Sequence, residues 1–326
     1  MGCKQLWFAD YEQTPAKKST KKEKFLAEMD QVVPWQPLLD LIETHYPRTS
    51  SKCGRPPYPL ATMLRIHLMQ QWYSLSDQAM EDALIEVATI RRLAEIDLIS
   101  DRISDEITIL AFRHLLEKHD LGQKVFETVK AHLKQRGMAM KQGTIIDATL
   151  ISAPSSTKNK TGERDPEMHQ TKNGNQWHFV MKVHIGVDKD FGLIHSIETS
   201  SANVQDITQA AQLLHGEELV VYGDAGYQGI EKRAEMAGKS TTFRVAMRPG
   251  KRRVLPDTPD GRLLDLVETA KAHISAKVEY PFRMIKQQFW FQKNRLRGMA
   301  KNHCKVDMLV ALTNLYLARA YLLATG

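Results

Sequence analysis

Through the first third of the chain apolar residues recur every three or four positions and hardly ever alternate in twos. Phe25, Met29, Val32 and Val33, followed by Leu38, Leu39 and Ile42, predict helix. A turn-rich stretch over 49–57 interrupts them. Pro59 then opens a helix that carries Met63, Leu64, Ile66 and Leu68 to about Tyr73. Ser76 is placed to cap the next helix, Asp77 to about Ile85. Ser104 is placed to cap another, with Ile107, Leu110, Leu115 and Leu116 on it, and a fourth runs from about Gln123 to Arg136. Gly137 and Gly143 bracket a change of class. Beyond them the apolar residues form short β-branched runs over 144–151, Trp177 to Val187 and Leu193 to Glu198, which read as strands. A polar stretch, 154–176, reads as a mobile loop between the first two. A helix from Asp206 through Ala210, Leu213 and Leu214 follows, then a strand from Leu219. Ile274, Val278, Phe282, Ile285 and Phe289 make a further helical stripe, and a last helix, about Val306 to Leu323, reads as core packing.

Two of the strands carry a carboxylate where an apolar residue would serve packing better. Asp147 sits inside Gly143-Thr144-Ile145-Ile146-Asp147-Ala148-Thr149-Leu150-Ile151, and Asp224 ends Leu219-Val220-Val221-Tyr222-Gly223. An ionised carboxylate in an apolar run is costly unless something positive holds it. Gly223 and Gly226 let the backbone turn sharply beside Asp224 and admit a ligand closely. A third acid, Glu279, shares a helix face with Ser275, Arg283 and Lys286. Taken alone, Glu279 and Arg283 read as an ordinary surface pair. Pro281 either kinks that helix or starts it, and the sequence leaves both readings open.

Charge widens the picture. The 326 residues hold 45 Lys and Arg against 38 Asp and Glu, a net charge of +7, and the pI near 9.1 tilts the partner toward a polyanion. Residues 1–24 read as a basic, flexible arm. On the second strand Lys182 and His184 share a face with His178, within reach of phosphate if that face lies beside Asp147. Lys158, Lys160, Arg164 and Lys172 make the polar loop basic, and Arg283, Lys293, Arg295 and Arg297 form a basic track after Glu279. Cys3, Cys53 and Cys304 are isolated, which argues against a disulfide framework or a zinc site and for a reducing compartment. With no signal-peptide core and no apolar run expected to reach the ~18 residues of a membrane span, a cytoplasmic protein without membrane partners is expected.

In their order along the chain these motifs resemble a known family, the DDE transposases of bacterial insertion sequences, in the Insertion Sequence Five group. The resemblance runs from Gly54-Arg55-Pro56-Pro57-Tyr58-Pro59 and Phe112-Arg113-His114-Leu115-Leu116 through Asp147-Ala148-Thr149 and Asp165-Pro166-Glu167-Met168-His169-Gln170. It continues through Asn175-Gln176-Trp177-His178-Phe179 and Asp224-Ala225-Gly226-Tyr227-Gln228-Gly229 to Val278-Glu279 with Pro281-Phe282. It implies an α/β fold: an RNase H-like catalytic core, a mixed sheet with flanking helices, over 139–326, preceded by an all-α DNA-binding and dimerisation domain over 25–138. It implies that Asp147, Asp224 and Glu279 are catalytic and hold two Mg²⁺ ions, for which Mn²⁺ can substitute. It implies cleavage at the element's terminal inverted repeats and joining of the freed 3′-OH to target DNA, by a homodimer on double-stranded DNA at the nucleoid. Lys286 matches the family's lysine after the glutamate, and Arg283, Lys182, His184, Lys158, Lys172 and Arg295 are candidate DNA contacts beside it. Where the family commonly has an arginine four residues before the glutamate, this chain has Ser275. That departure keeps two alternatives open, an end-binding protein that does not cut and a nuclease that cuts without joining.

Overall fold

The computed structural model describes residues 19–48, 56–138 and 143–325. Residues 1–18 of the basic arm, Cys3, Cys53 and loop residues 49–55 lie outside them. The chain divides into two compact units, residues 1–119 with 319–326, and residues 120–318.

The smaller unit is helical. Helices α1 (Lys21–Val32), α2 (Trp35–Glu43), α3 (Leu60–Tyr73), α4 (Asp77–Glu86), α5 (Ala88–Ala94) and α6 (Glu106–Lys118) follow in order. Thr20 and Glu23 form a capping box, so α1 starts four residues before Phe25, inside the segment expected to be an arm. Ser76 caps α4 as expected, its Oγ accepting from Ala79 N–H at 3.1 Å. Ser104 does not cap α6. It is buried with its hydroxyl 3.4 Å from Met63 Sδ, and Asp105 next to it takes the Thr108 N–H at 2.7 Å. Helix α3 is the centre of this unit: every residue from Thr62 to Trp72 is buried, and its sequence is accordingly apolar on nearly all sides. Arg65, inside that run, is held by Asp30 and Glu95 and lies 4.1 Å from the Trp35 ring. Arg91 donates to the carbonyls of Leu84 and Ile85, and Arg113 pairs with Asp77 and Glu117. These three cations are internal struts.

The larger unit contains a mixed sheet with flanking helices. Helix α7 (Leu121–Gln135) lies in this compact unit, which begins at Asp120, whereas the helical domain expected from the sequence extends to 138. The strands are β1 (Gly143–Ser152), β2 (His169–Asn173), β3 (Gln176–Asp188), β4 (Ile194–Ser201), β5 (Val220–Gly223) and β6 (Thr242–Val245). Their order is β2-β3-β1-β5-β6, and β4 pairs with the same edge of β3 farther along. The first half is antiparallel, whereas β1, β5 and β6 are parallel. Strand β2 lies in the stretch expected to be a loop. Asn173 pairs with Gln176 across Gly174-Asn175, whose glycine has φ +60°, as a two-residue hairpin needs. Asp165 and Glu167, from the same stretch, accept the Gly298 and Met299 amides. They thereby satisfy the start of α12 (Met299–Thr325).

The helix expected from Asp206 is four residues long, α8 (Asp206–Gln209), and turns replace it through Leu213. After β6 come α9 (Pro249–Arg252) and α10 (Pro259–Ser275). An 18-residue window of α12 has mean hydropathy 1.3, enough by length and composition to cross a membrane, contrary to the sequence expectation. Of that window 56% is buried inside the protein, as a core helix would be.

Gly186 sits at a bulge in the β3–β4 pairing, and there its lack of a side chain is required. A Cβ would stand 2.5 Å from the Leu213 carbonyl oxygen and 2.8 Å from His195 Cε1. His195 is itself fixed by Thr144 at 3.1 Å and Ser196 at 2.8 Å. Gly186→Ala is therefore expected to destabilise the protein by about 1–3 kcal/mol, read as a lowered denaturant midpoint. An unchanged midpoint would show that this bulge has slack.

Candidate active site

The two strand carboxylates meet because their strands are neighbours. In the parallel β1–β5 pair Ile146 is opposite Gly223, so Asp147 and Asp224 occupy the next position on each chain, with strand axes about 4.8 Å apart. Asp224 follows the last residue of β5, whereas Asp147 lies inside β1, one position past the end of the parallel pairing. Asp224 is exposed and begins a 3₁₀ turn, Ala225–Tyr227, with its Oδ1 accepting the Gly226 N–H at 2.9 Å. Asp147 is half-buried, and its Oδ1 takes the Ala148 N–H at 2.7 Å.

Glu279 comes to the same place from the helical side. Pro281 neither starts that helix nor breaks it. From Pro259 to Gln288 the backbone stays helical, with α10 passing into a 3₁₀ turn (Ala276–Val278), then α11 (Glu279–Arg283), then a π-helical turn (Met284–Gln288). Val278, Phe282, Ile285 and Phe289 anchor this run in the core, while Glu279 is exposed. Lys286 lies in the π turn and is half-buried.

The charges feel one another. Burial pushes the Asp147 carboxyl up to about 7, and Asp224, Glu279 and Asp206 push it the same way against the Ala148 amide. Burial lowers Lys286, while Glu279 and Asp147 oppose that shift. Tyr227 lies beneath them, 1% exposed, its hydroxyl without a hydrogen-bond partner. Burial first, then Asp147, Asp206 and Asp224, raise it well above the usual phenol range. Gly223 makes room for that ring, since a Cβ there would stand 3.2 Å from Tyr227 Cδ2.

Among the described residues no three His, Cys, Asp or Glu side chains are close enough together to hold one metal ion. The donor set nevertheless suits a hard divalent cation: carboxylate oxygens, in mutual repulsion that such a cation would relieve.

The expected DNA contacts divide into two groups. Lys158, Lys172, Arg283 and Arg295 are exposed, Arg283 with its Nε 3.2 Å from Gln287 Oε1. Lys182 and His184 are internal. The register sets Ala148 opposite His184 and Leu150 opposite Lys182, so both side chains project from the face opposite Asp147. Lys182 Nζ is spent on Asp206 at 2.8 Å and on the Val204 carbonyl at 2.7 Å. His184 is 0% exposed, 2.8 Å from Ser200 Oγ, and burial lowers it to about 4. A neutral, fully buried imidazole cannot meet a phosphate. Sequence reasoning places Asp206 only at the start of a helix and gives Tyr227 no role of its own, yet both bear on the charges here. The only local signal for Tyr227 was its place three residues after Asp224.

Residues 139–315 match the family model described as Transposase DDE domain. Residues 14–115 match another, Transposase domain (DUF772). Among solved structures the chain is similar to one described as the cryo-EM structure of the piggyBac transposase synaptic complex with hairpin DNA. The identity is 10% and the TM-score 0.43, over 91% of this chain and 73% of that one.

Proposed function

The chain belongs to the transposase family defined by the DDE domain, and from that premise we propose an insertion-sequence transposase of the Insertion Sequence Five group. In this reading the protein, with an RNase H-like core, binds the terminal inverted repeats of its element as a homodimer. It cleaves the DNA at the element ends and joins the 3′-OH ends to target DNA. The observation that carries it is the placement of Asp147 and Asp224 at matched positions on adjacent parallel strands, with Glu279 near enough to bear on the Asp147 carboxyl.

Two divalent cations held by Asp147, Asp224 and Glu279, Mg²⁺ by the hardness of the donors, would supply Lewis-acid stabilisation of the attacking and leaving oxygens of an in-line phosphoryl displacement. The protein's own groups orient that reaction. The Ala148 and Gly226 amides fix one oxygen each of Asp147 and Asp224. Tyr227 packs with Ile146, Val221 and Ile230 in the core next to the strands that carry Asp147 and Asp224. Lys286 faces the same centre and holds a phosphate of the bound end, while exposed Arg283, Lys158, Lys172 and Arg295 follow the backbone outward.

The test is incubation of the purified protein with labelled element-end DNA and a target plasmid, with Mg²⁺ and with EDTA. Joined product that needs the metal is the expected result; cleavage without joining would indicate a nuclease. A second reading, an end-binder that does not cut, draws on Ser275, whose hydroxyl is buried without a partner four residues before Glu279. It predicts binding without product, and product on Ser275→Arg. Lys286→Ala is expected to reduce the slope of log affinity against log salt by about 0.9. An unaltered slope would return Lys286 to ordinary surface charge.

A further inference from the structure

Along β6 the larger unit has a cavity of about 690 Å³, within the ~300–1,000 Å³ of ligand sites. It begins at Gln228, four residues past Asp224 on the same stretch of chain. Its apolar lining is Phe243, Val245 and Met247, of which Phe243 and Val245 also pack against the core that contains Tyr227. Lys232, Arg248 and Lys251 stand around it, all exposed. Lys271 differs, because its Nζ is 2.7 Å from Glu268 and 3.3 Å from the Val245 carbonyl oxygen. Glu268 is 5% exposed and also accepts the Met247 N–H at 2.7 Å, so its charge is already satisfied. The other acid, Glu231, is exposed to solvent. Four cations thus face two carboxylates around an apolar floor.

We propose that this cavity receives one unpaired nucleotide of a DNA strand, with its phosphates on Lys232, Arg248 and Lys251 and its base against Phe243 and Met247. The proposal rests on the transposase reading above. A duplex turns phosphate and sugar outward and keeps its base faces stacked, so it has no use for an apolar floor among cations. A small inorganic anion would leave that floor bare. An unpaired nucleotide uses both parts, the pairing of cationic groove and ring contact by which single strands are held.

The experiment compares the full-length protein with the variant Lys232→Ala/Arg248→Ala/Lys251→Ala. A control, Lys124→Ala/Lys134→Ala/Arg136→Ala, removes the same charge from exposed positions on and just after α7. The probes are a labelled oligothymidylate of about eight nucleotides and blunt element-end duplex, each titrated over a range of salt. Melting temperature verifies that all three proteins fold. The cavity variant is expected to bind oligothymidylate at least tenfold more weakly at ~0.1 M salt, with a salt slope lower by about two units, and to bind duplex nearly as wild type. The control should match wild type on both probes. Equal oligothymidylate binding by wild type and cavity variant, or an equal loss in the control, overturns the proposal. If wild type still cuts element-end DNA in that case, the transposase reading survives and only this site is lost. If wild type neither cuts nor binds element-end DNA, both fall.

Discussion

Asp147→Asn should bind element-end duplex and fail to cut it, with metal-dependent cleavage down by more than about a hundredfold. Removing a group that merely supports a metal ligand costs roughly ten- to a hundredfold, and a ligand itself should cost more. Asparagine retains the shape and the oxygen that accepts the Ala148 amide, so the local fold has no reason to change. What it lacks is the charge. Because burial and three neighbouring acids already oppose that charge, the variant should be at least as stable as wild type at neutral pH. The expected signature is therefore cleavage lost, duplex binding kept and melting temperature unchanged or raised. Cleavage that survives in Asp147→Asn would remove this carboxylate from the reaction.

The second large effect lies away from the site. Asp307, on α12, is 0% exposed, and neither of its oxygens has a hydrogen-bond partner. His303 Nε2 lies 3.7 Å from its Oδ1, and the His303 Nδ1 is 2.9 Å from Thr199 Oγ1. Burial pushes Asp307 up to about 8, and Asp120, Glu198 and Glu127 push it the same way. An aspartate in the unfolded chain titrates near 3.9. Between those two values the folded protein keeps a proton that the unfolded chain has released. Stability from this group is thus complete below about pH 4, falls by up to about 1.4 kcal/mol per pH unit as pH rises, and is fully lost above about pH 8. Asp307→Asn has no proton to lose. Its denaturation midpoint should exceed that of wild type at pH 9, and the two should converge near pH 4. Identical pH dependence in both proteins would show that Asp307 is ionised at no cost.

The readable parts of the sequence were those where one residue type had to break a pattern. Asp147 and Asp224 showed because each interrupts a β-branched run, and Gly223 and Gly226 flagged the turn beside the second. Faces were harder. Seeing that Lys182 and His184 project away from Asp147 requires the β1–β3 register, and a strand's period of two cannot say which face meets which. Cap assignment failed by one position at Ser104 because serine and aspartate both cap well and only burial separates them. Strand β2 was hidden by polarity: it pairs along a single edge and needs no apolar face, although Asn173-Gly174-Asn175 carried the turn signal. The early end of α8 left no trace at all, since Ala210, Leu213 and Leu214 keep helical spacing and are packed from a turn instead.

The changing winding between Ala276 and Gln288 has one more consequence. In a uniform α-helix the bearing of Lys286 relative to Glu279 follows from residue count alone, at 3.6 residues per turn. Here a tight thread gives way to an ordinary one and then to a wide one, ending where the Phe289 amide reaches back to Met284 at 2.9 Å and that of Phe291 to Ile285 at 3.0 Å. The bearing of Lys286 relative to Glu279 is therefore set by the mixture of windings and not by residue count, so a helical wheel of even pitch misplaces the lysine against the glutamate.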